Sequence, residues 1–342
     1  MVDLSIVIVS WNVRDLLRRC LLSVVSNQGA GSREQGAGVV TQGSPSRTEI
    51  RTLKAGPGHC SLTTETIVVD NGSTDGSIEM MRGEFPAVRL IANTHNQGFP
   101  AANNQGLAVA RGRYVLLLNP DTEVVGDALA TMVAFADDQP DVGVVGPQLL
   151  NPDGSVQSSR RRFPTLATAF FESTWLQPYA PRRLLERYYV FDRPDDATQD
   201  VDWVKGAALL ARREALERVG PMDEEFFMYS EELDWCRRFR EAGWRVVYLP
   251  TAQVVHHEGK SSEQVVAARH IHFQTSKVRY FSKYHGAVAA EGLRLFLLGH
   301  YVWQLGLEGA KWLVGSKRPM RAERVVAYWQ VLQSRLRQDA PD

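Results

Sequence analysis

Short apolar runs alternate with amphipathic segments over the first 146 residues. The apolar runs, such as LSIVIV, TIVVD and YVLLLN, are rich in β-branched residues and predict strands, while VRDLLRRCLLSVV and DALATMVAFAD predict helices between them. Because IVIV and VLLL are apolar at every position, we expect strands buried between two layers of helices in a mostly parallel sheet. The pattern predicts an α/β fold in which ligands lie at the carboxyl ends of the strands.

The pattern changes three times along the chain. Residues 27–63 contain seven glycines, the near-repeat NQGAG and EQGAG, and few large apolar residues, which predicts a disordered surface insertion. Residues 147–263 have shorter apolar runs, many aromatic residues and one marked helix, predicted over 230–242. From residue 264 to residue 342 the pattern is helical throughout.

Composition and charge exclude some classes of function. The 342 residues are 44% hydrophobic and 23% charged, which is typical of a globular protein, and 39 basic residues balance 39 acidic ones. No field of one sign would attract nucleic acid, so we expect no nucleic-acid partner. Cys20, Cys60 and Cys236 lie far apart without a C-x-x-C spacing, which favours a reducing compartment and no zinc knuckle.

The C-terminal region differs from the rest in charge. Residues 264–342 hold twelve Lys or Arg residues against five Asp or Glu residues, a net charge of +7, which indicates contact with anionic lipid. The apolar stretch from Leu293 to Val314 is interrupted by charged and polar residues and is too polar to span a membrane. The N-terminus reads as a first strand and not as a signal peptide. These features predict a cytoplasmic protein, peripheral on the inner membrane; a helical cap or a homodimer interface is the alternative use of these helices.

Two acidic segments follow predicted buried strands. Asp70 ends TIVVD and begins the turn NGSTDG, at the position where a nucleotide would lie beside the end of the first strand, although an ordinary Asx turn explains the same residues. Asp121 follows YVLLLNP, where a carboxylate could hold a divalent cation that also takes oxygens from a diphosphate; the alternative is a Pro-Asp turn.

These segments together resemble a known family. SIVIVSWN, IVVDNGSTDGS, NQGFPAANNQG with VLLLNPD, and VKGAALLARREALERVGPMDEEFFMYSEELDWCRR occur in the order found in the family-2 inverting glycosyltransferases of the GT-A fold, particularly the rhamnosyltransferase-like members. The resemblance covers about residues 4–260. It implies a nucleotide-sugar-binding half at 1–146, an acceptor-binding and catalytic half at 147–263, and a helical basic extension at 264–342.

The resemblance assigns roles to the donor-binding residues. Asp70 would hydrogen-bond a pyrimidine base, residues near Ser10 and Asn12 would line the base pocket, and Asn103 lies in the matching NQGFPAANNQG block. The imide edge shared by thymine and uracil implies a dTDP- or UDP-linked sugar.

The metal motif of the family, Asp-x-Asp, falls on residues 119–121. Asp121 would bind Mg²⁺ or Mn²⁺ directly, while Asn119 would contact the metal, the ribose or the phosphate. The family pattern H-x-x-G-x-S aligns His256 as a further metal ligand, and His257 would point to the other face of its strand.

The segment YSEELDW resembles the acidic motif that carries the catalytic base. Glu232 is the predicted base and Asp234 the second candidate, and about 200° of helix separates the two, so they would not share one task. Ser230 is a predicted N-cap, which puts Glu231 and Glu232 in the first turn, where acidic residues are also common for helix stability alone.

Two further segments border the expected donor sugar. Gly206 and Ala207 would allow close backbone approach, and Trp203 would stack on a sugar or fill the core. The basic run at 160–162 would meet a diphosphate or form an exposed loop cluster.

The implied activity is metal-dependent, inverting transfer of a rhamnose-like sugar to a glycan or a polyprenyl-diphosphate-linked acceptor in cell-surface polysaccharide synthesis. A nucleotidyltransferase is an alternative, but the sequence after the first strand lacks a Gly-rich phosphate loop. A catalytically inactive sugar- or lipid-binding scaffold is the second alternative, because Asn119 and Glu232 depart from the usual Asp residues.

Overall fold

The computed structural model describes residues 2–29, 62–258, 266–315 and 317–337. The strands are β1 (Leu4–Ser10), β2 (Thr64–Asp70), β3 (Arg89–Ala92), β4 (Tyr114–Leu118), β5 (Thr122–Val125), β6 (Val142–Leu150), β7 (Val156–Gln157), β8 (Arg160–Arg161), β9 (Gln199–Asp200), β10 (Trp203–Val204), β11 (Ala208–Arg212) and β12 (Arg245–His256). The helices are α1 (Arg14–Gly29), α2 (Ser77–Glu84), α3 (Phe99–Val109), α4 (Ala128–Asp138), α5 (Leu166–Phe171), α6 (Arg182–Tyr188), α7 (Arg213–Val219), α8 (Glu231–Glu241), α9 (Val266–His285), α10 (Ala287–Val314) and α11 (Arg318–Ser334), with a 3₁₀ turn at Gln177–Tyr179. Helix α1 includes residues 27–29, and residues 30–61 of the predicted insertion lie outside the described residues.

The main sheet is mixed and mostly parallel. Its order is β3-β2-β1-β4-β11-β6-β12-β5, in which β1 runs parallel to β2 and β4, and β12 runs parallel to β6. Strand β11 is antiparallel to both of its neighbours. Strand β6 crosses the division predicted between residues 146 and 147, so the two predicted halves share one sheet. The arrangement confirms the α/β fold class.

The register brings the ends of the central strands to one rim of the sheet. Ser10 pairs with Asp70, and Ile8 pairs with Leu118 at the end of β4. Because parallel strands end at the same side, the segments that follow β1, β2 and β4 meet there. This rim is where the sequence predicts the ligand.

Strand β1 is buried on both faces, as its apolar run predicts. Every residue of the strand is buried. Ile6 and Ile8 pack with Leu17 of α1 on one face, while Val7 packs with Leu117 on the other. Each such side chain stabilises the fold by about 1.5–3 kcal/mol relative to an exposed one. The central strands therefore form a firm platform for the residues at the rim.

Helices α9, α10 and α11 pack together and against the sheet domain. Phe226 and Leu233 meet Phe281, Leu293 and Leu297 in one buried cluster. Among the described residues, no helix combines the length and the apolar character that crossing a membrane requires. One side of α10 is nevertheless exposed and apolar; we call it the α10 apolar face, and it consists of Val288, Leu295, Val302, Trp303, Leu313 and Val314.

The described cysteines are buried thiols. Cys20 and Cys236 are free and inaccessible, and burial raises the pKa of each thiol to about 12. Cys60 lies outside the described residues.

Candidate active site

A cavity of about 410 Å³ opens at the rim of the sheet, and we call it the rim cavity. The predicted residues that line it come from the segments after β4, before β11, at the start of α8 and at the end of β12. They are Asn119, Asp121, Gly206, Ala207, Glu232 and His256. Segments more than a hundred residues apart in the chain therefore converge in one place.

Asp121 and His256 form a buried pair in the rim cavity. Both residues are 5% exposed, and His256 Nε2 lies 3.4 Å from Asp121 Oδ1. On the other side of the ring, His256 Nδ1 lies 2.8 Å from the amide oxygen of Gln157. Because that oxygen only accepts, Nδ1 carries the proton and the lone pair of Nε2 faces Asp121. This is the orientation of a histidine prepared to bind a metal.

The atoms around this pair fit a divalent cation held jointly with a bound molecule. Asp121 Oδ1 and Asn119 Oδ1 are buried without a hydrogen-bond partner, which is unusual for polar atoms. No group of three or more His, Cys, Asp or Glu residues among the described ones could hold a metal alone. Mg²⁺ and Mn²⁺ accept one or two protein ligands when phosphate oxygens and water complete their coordination. The pair meets that requirement.

The loop before α8 sets the direction of the two glutamates. Tyr229 and Ser230 have φ angles of 70° and 65°, in the left-handed region that non-glycine residues rarely adopt. Ser230 precedes the helix as predicted, but its side chain makes no capping hydrogen bond, so that part of the prediction is wrong. The reason is its backbone, since a capping side chain normally extends from β-region φ and ψ angles. The turn directs Glu231 and Glu232 into the rim cavity.

Burial raises the pKa of both glutamates. Glu232 is half-buried, its Oε2 has no hydrogen-bond partner, and nearby backbone N–H groups and the Lys205 ammonium offset part of the rise in its pKa. Glu231 is 5% exposed, and burial, followed by the neighbouring charge of Glu232, raises its pKa well above the ordinary value. Both carboxyl groups therefore hold a proton more tightly than exposed glutamates do.

Asp234 does not reach the rim cavity. It is fully buried, and its two oxygens accept hydrogen bonds from Arg238 Nε at 2.9 Å and Tyr284 OH at 2.7 Å; Lys283 Nζ also lies 2.7 Å away. The helical rotation between positions two apart turns Asp234 away from Glu232. Asp234 therefore ties α8 to α9, and the geometry offers no support for it as a base.

The residues predicted for the nucleotide base lie beside the rim cavity and not on its wall. Asp70 Oδ1 accepts a hydrogen bond from the Ser73 backbone at 2.9 Å, and Asn12 Oδ1 accepts one from the Thr74 backbone at 2.8 Å. The bond to Asp70 forms the Asx-type turn that the sequence left open as an alternative, and the bond to Asn12 ties that turn to the end of β1. Ser10 Oγ and Asp70 Oδ2 remain buried without hydrogen-bond partners.

The walls of the rim cavity near this turn come from neighbouring residues. Val9, Trp11 and Asn71 line the cavity, because side chains alternate between the two faces of a strand. Asn103 does not line it: its side chain donates to the Phe99 carbonyl, one turn earlier in helix α3, at 2.9 Å. Ser10, Asn12 and Asp70 therefore lie at the predicted strand ends, next to the residues that line the rim cavity.

The block NQGFPAANNQG borders the rim cavity, where Asn96 and Phe99 form part of the wall. Gly98 has a φ of 89°, and a Cβ there would lie 2.8 Å from the carbonyl oxygen of Phe227. The Phe99 backbone donates to that same carbonyl at 2.8 Å. This contact holds the loop that precedes α8 against α3, so a glycine is needed at this position.

Trp203 is a half-buried residue at a cavity wall, and two arginines of the basic run are buried. Trp203 Nε1 donates to the Arg162 carbonyl at 2.9 Å, and its ring lines a second cavity. Arg160 and Arg161 are 3% and 8% exposed, so the exposed-cluster interpretation is wrong for both. Arg160 forms an ion pair with Asp195 and lies over a tyrosine ring because the short strand β8 turns it into the protein.

The second cavity, of about 690 Å³, lies between the sheet domain and the C-terminal helices, and we call it the helical cavity. Lys205, Tyr229, Glu232, Glu258 and Arg269 line both cavities. Glu232 therefore lies between the rim cavity and the helical cavity, and each cavity could hold one of two reactants.

Sequence comparison identifies relatives of this chain. The family described as glycosyl transferase family 2 matches residues 5–219. The N-acetylglucosaminyl-diphospho-decaprenol L-rhamnosyltransferase of Mycobacterium tuberculosis is 34% identical over 217 residues, which cover 59% of this chain and 70% of that protein. The rhamnosyltransferase WbbL of Escherichia coli K12 is 27% identical over 180 residues, or 47% of this chain and 61% of that one.

Solved structures share the fold. A mannosyltransferase from Pyrobaculum calidifontis in complex with GDP-Man and Mn²⁺ has a TM-score of 0.53 at 18% identity, covering 98% of this chain and 84% of that one. The likeness confirms the GT-A arrangement with C-terminal helices. With the family match and the rhamnosyltransferase relatives, the chain belongs to glycosyl transferase family 2 and is a glycosyltransferase of the rhamnosyltransferase-like kind.

Proposed function

We propose that this glycosyltransferase moves a rhamnose-like sugar from a dTDP- or UDP-linked donor to a hydroxyl of a glycan carried on a polyprenyl diphosphate, with inversion at the anomeric carbon. The observation that carries the proposal is the convergence of Asp121, His256 and Glu232 on one cavity, with Glu232 also facing a second cavity. The mycobacterial relative acts, by its name, on a diphospho-decaprenol acceptor and transfers L-rhamnose. The product would serve cell-surface polysaccharide synthesis.

The nucleotide would lie at the ends of β1 and β2. Asp70 Oδ2 and Ser10 Oγ are buried and unpartnered, so a bound molecule can supply the missing hydrogen bonds. A carboxylate oxygen accepts the imide N–H that thymine and uracil share, which favours dTDP or UDP over GDP. Asn12 would act indirectly, by holding the turn after Asp70.

Asp121 and His256 would hold Mg²⁺ or Mn²⁺ against the diphosphate of the donor. Bound there, the metal supplies positive charge to the departing phosphate oxygens. Gln157 keeps the His256 ring oriented, and the buried position of both side chains excludes competing water. Asn119 adds an unpartnered amide oxygen on the same wall.

Glu232 would accept the proton of the attacking acceptor hydroxyl. Its raised pKa brings the carboxylate nearer to the proton affinity that a general base needs, and such catalysis contributes about 10²- to 10⁴-fold to the rate. Glu231 is the second carboxyl group on this wall, and burial raises its pKa as well. With one base and direct attack by the acceptor, the anomeric configuration inverts.

The C-terminal helices would hold the enzyme on an anionic membrane, at the cytoplasmic face of the inner membrane. The α10 apolar face supplies exposed leucine, valine and tryptophan side chains on a region with a net charge of +7. We expect the full chain to co-sediment with phosphatidylglycerol vesicles, less so at high salt, and not with phosphatidylcholine vesicles. If the protein formed dimers in solution and bound neither kind of vesicle, the α10 apolar face would instead be the interface with a second copy.

The donor and the stereochemistry test the proposed reaction together. Thermal-shift measurements with dTDP, UDP and GDP plus Mn²⁺ should give a raised melting temperature with one of the two pyrimidine nucleotides, because a ligand of the folded state stabilises it. The matching nucleotide sugar, supplied with a lipid-diphosphate-linked acceptor, should give a product of inverted anomeric configuration by NMR. A product of retained configuration, or folded protein that neither binds a nucleotide nor releases one from any donor, would contradict the proposal and favour the scaffold alternative.

A further inference from the structure

The helical cavity contains more positive charge than its carboxylates neutralise. Two of its lysines are already paired, Lys205 with Glu258 at 2.8 Å and Lys277 with Glu172 at 2.6 Å. Arg161 and Arg269 also line the cavity, and neither belongs to these two pairs. Arg161 is the more deeply buried of the two.

Arg161 is a buried cation that forms no ion pair with any described residue, although the charges of Glu172 and Glu258 act on it from a greater distance. It is 8% exposed, its Nη1 donates to Ser158 Oγ and to the Arg160 carbonyl at 2.8 Å each, and its guanidinium lies 4.5 Å from the centre of the Tyr189 ring. Within the part of the chain that the structure describes, no carboxylate lies within 4.0 Å of this guanidinium, and Nη2 and Nε make no hydrogen bond. Arginine keeps its proton even when buried, and a buried unpaired charge is costly unless an anion joins it.

One wall of the helical cavity is polar but uncharged. Gln274 is 2% exposed, its Oε1 has no hydrogen-bond partner, and its Nε2 lies 3.5 Å from Tyr301 OH. Burial lowers the pKa of His270 and lowers that of His300 to about 4, so both rings are neutral near pH 7. Such a wall suits the hydroxyl and amide groups of a sugar.

The helical cavity lies next to exposed tryptophans. His300, on the cavity wall, accepts a hydrogen bond from the Trp175 backbone at 3.4 Å. The Trp175 ring lies 6.3 Å from that of Trp303, and the two residues are 43% and 58% exposed. Trp303 belongs to the α10 apolar face. A polar cavity with an unpaired cation therefore adjoins an apolar surface, and that combination matches a molecule with an anionic head and a lipid tail.

We propose that the helical cavity binds the sugar-diphosphate head of the lipid-linked acceptor, with the diphosphate on Arg161 and the lipid chain lying over Trp175 and Trp303. The assignment rests on the proposed function, since it names the site of that reaction's acceptor. Arg161 pairs with Trp203 across the β8–β10 ribbon, and both face the cavity that Glu232 also lines. The acceptor sugar would lie between the diphosphate and Glu232, with its hydroxyl toward the rim cavity.

Farnesyl diphosphate is a suitable probe, with the full chain and isothermal titration calorimetry in EDTA. Removing divalent metal prevents diphosphate binding through Asp121 and His256, so the measurement reports the helical cavity. We expect saturable binding of farnesyl diphosphate, at least tenfold weaker binding of farnesol and of inorganic diphosphate, and no displacement by excess dTDP or UDP. If the unmodified protein bound farnesol as tightly as farnesyl diphosphate, or if dTDP or UDP displaced farnesyl diphosphate, the proposal would be overturned.

Variants locate the binding. Arg161→Met should weaken farnesyl diphosphate binding at least tenfold, and Arg161→Lys should weaken it less. Arg162→Met is the matched control, because Arg162 is the next cation along the chain and lines neither cavity. Undiminished binding by folded Arg161→Met overturns the assignment; if that variant does not fold, Arg161→Lys with unchanged affinity overturns it instead.

The same preparations separate this proposal from the proposed function. A melting temperature raised by a pyrimidine nucleotide with Mn²⁺, together with farnesyl diphosphate binding that does not depend on Arg161, would reject only the acceptor site. Loss of the nucleotide response in the unmodified protein would reject the proposed function itself.

Discussion

Gln157 is expected to control metal affinity although it cannot reach a metal itself. Its amide oxygen accepts the hydrogen bond from His256 Nδ1 at 2.8 Å, and its Nε2 donates to Asn151 Oδ1 at 3.1 Å, which fixes the orientation of the amide. Gln157→Leu keeps the size of the side chain but removes the acceptor. The His256 ring then loses the contact that turns Nε2 toward Asp121.

The structure sets the expected magnitude. Loss of such an outer partner lowers metal affinity by about 10- to 100-fold, which corresponds to about 1.4–2.8 kcal/mol. Gln157 and His256 are 6% and 5% exposed, so water cannot easily replace the amide oxygen, and we expect the upper half of that range. The unpartnered N–H of His256 should also lower the free energy of unfolding by about 1–3 kcal/mol.

Metal affinity can be measured without turnover. The electron paramagnetic resonance signal of free Mn²⁺, followed in a titration with saturating nucleoside diphosphate, gives the bound fraction directly. Gln148→Leu is the matched control, because Gln148 is 7% exposed, makes hydrogen bonds to Tyr248 OH and to the Asp195 carbonyl, and lines neither cavity. It should lower stability but leave Mn²⁺ affinity unchanged. Folded Gln157→Leu protein with unchanged Mn²⁺ affinity would refute the metal role of His256.

Substitutions of Glu232 and Asp234, two carboxylates of α8, should have different effects on activity and stability. Glu232→Gln should lower kcat by about 10²- to 10⁴-fold while leaving the nucleotide-induced rise in melting temperature intact; a variant that loses nucleotide binding instead would contradict a role as base. Because burial raises the pKa of Glu232, kcat/KM should fall on acidification at a pH above the ordinary range of an exposed glutamate, and an acid limb inside that range would count against it. Because its pKa is raised, Glu232 binds its proton more tightly in the folded state than in the unfolded state. The unmodified protein should therefore lose stability relative to Glu232→Gln as pH rises through the folded-state pKa. Chemical unfolding of both proteins at several pH values measures this difference. Asp234→Ala should lower the free energy of unfolding by about 3–5 kcal/mol, because it leaves Arg238 and Lys283 without their buried partner, yet Mn²⁺ affinity should persist; unchanged stability with lost activity would make Asp234 catalytic.

The strand and helix pattern of the sheet domain could be predicted because it depends on local apolar periodicity. The run IVIV predicted a strand buried on both faces, and β1 is one. The abrupt ends of β1, β2 and β4 predicted where a ligand would lie, because parallel strands finish at a common rim. Asp121, Glu232 and His256 follow from this reasoning together with the family motifs.

The remaining features depend on long-range contacts that no local pattern encodes. Gln157 belongs to a two-residue strand and meets His256 only because β7 and β12 both pair with β6. The burial of Arg160 and Arg161 could not be predicted, because a strand of two residues is too short to show an alternating pattern. In the structure the two side chains are buried on opposite faces of that strand. The left-handed backbone at Ser230 could not be predicted either, because a serine before a helix usually indicates an ordinary N-cap.

Anomalous diffraction at the manganese edge, from crystals grown with Mn²⁺ and dTDP or UDP, would locate the metal directly. We expect an anomalous peak in the rim cavity, within coordination distance of Asp121 and His256, with the diphosphate on the same ion and Glu232 beside it. A nucleotide-bound crystal in which Mn²⁺ lies elsewhere, with these two side chains still facing only each other, would contradict this expectation.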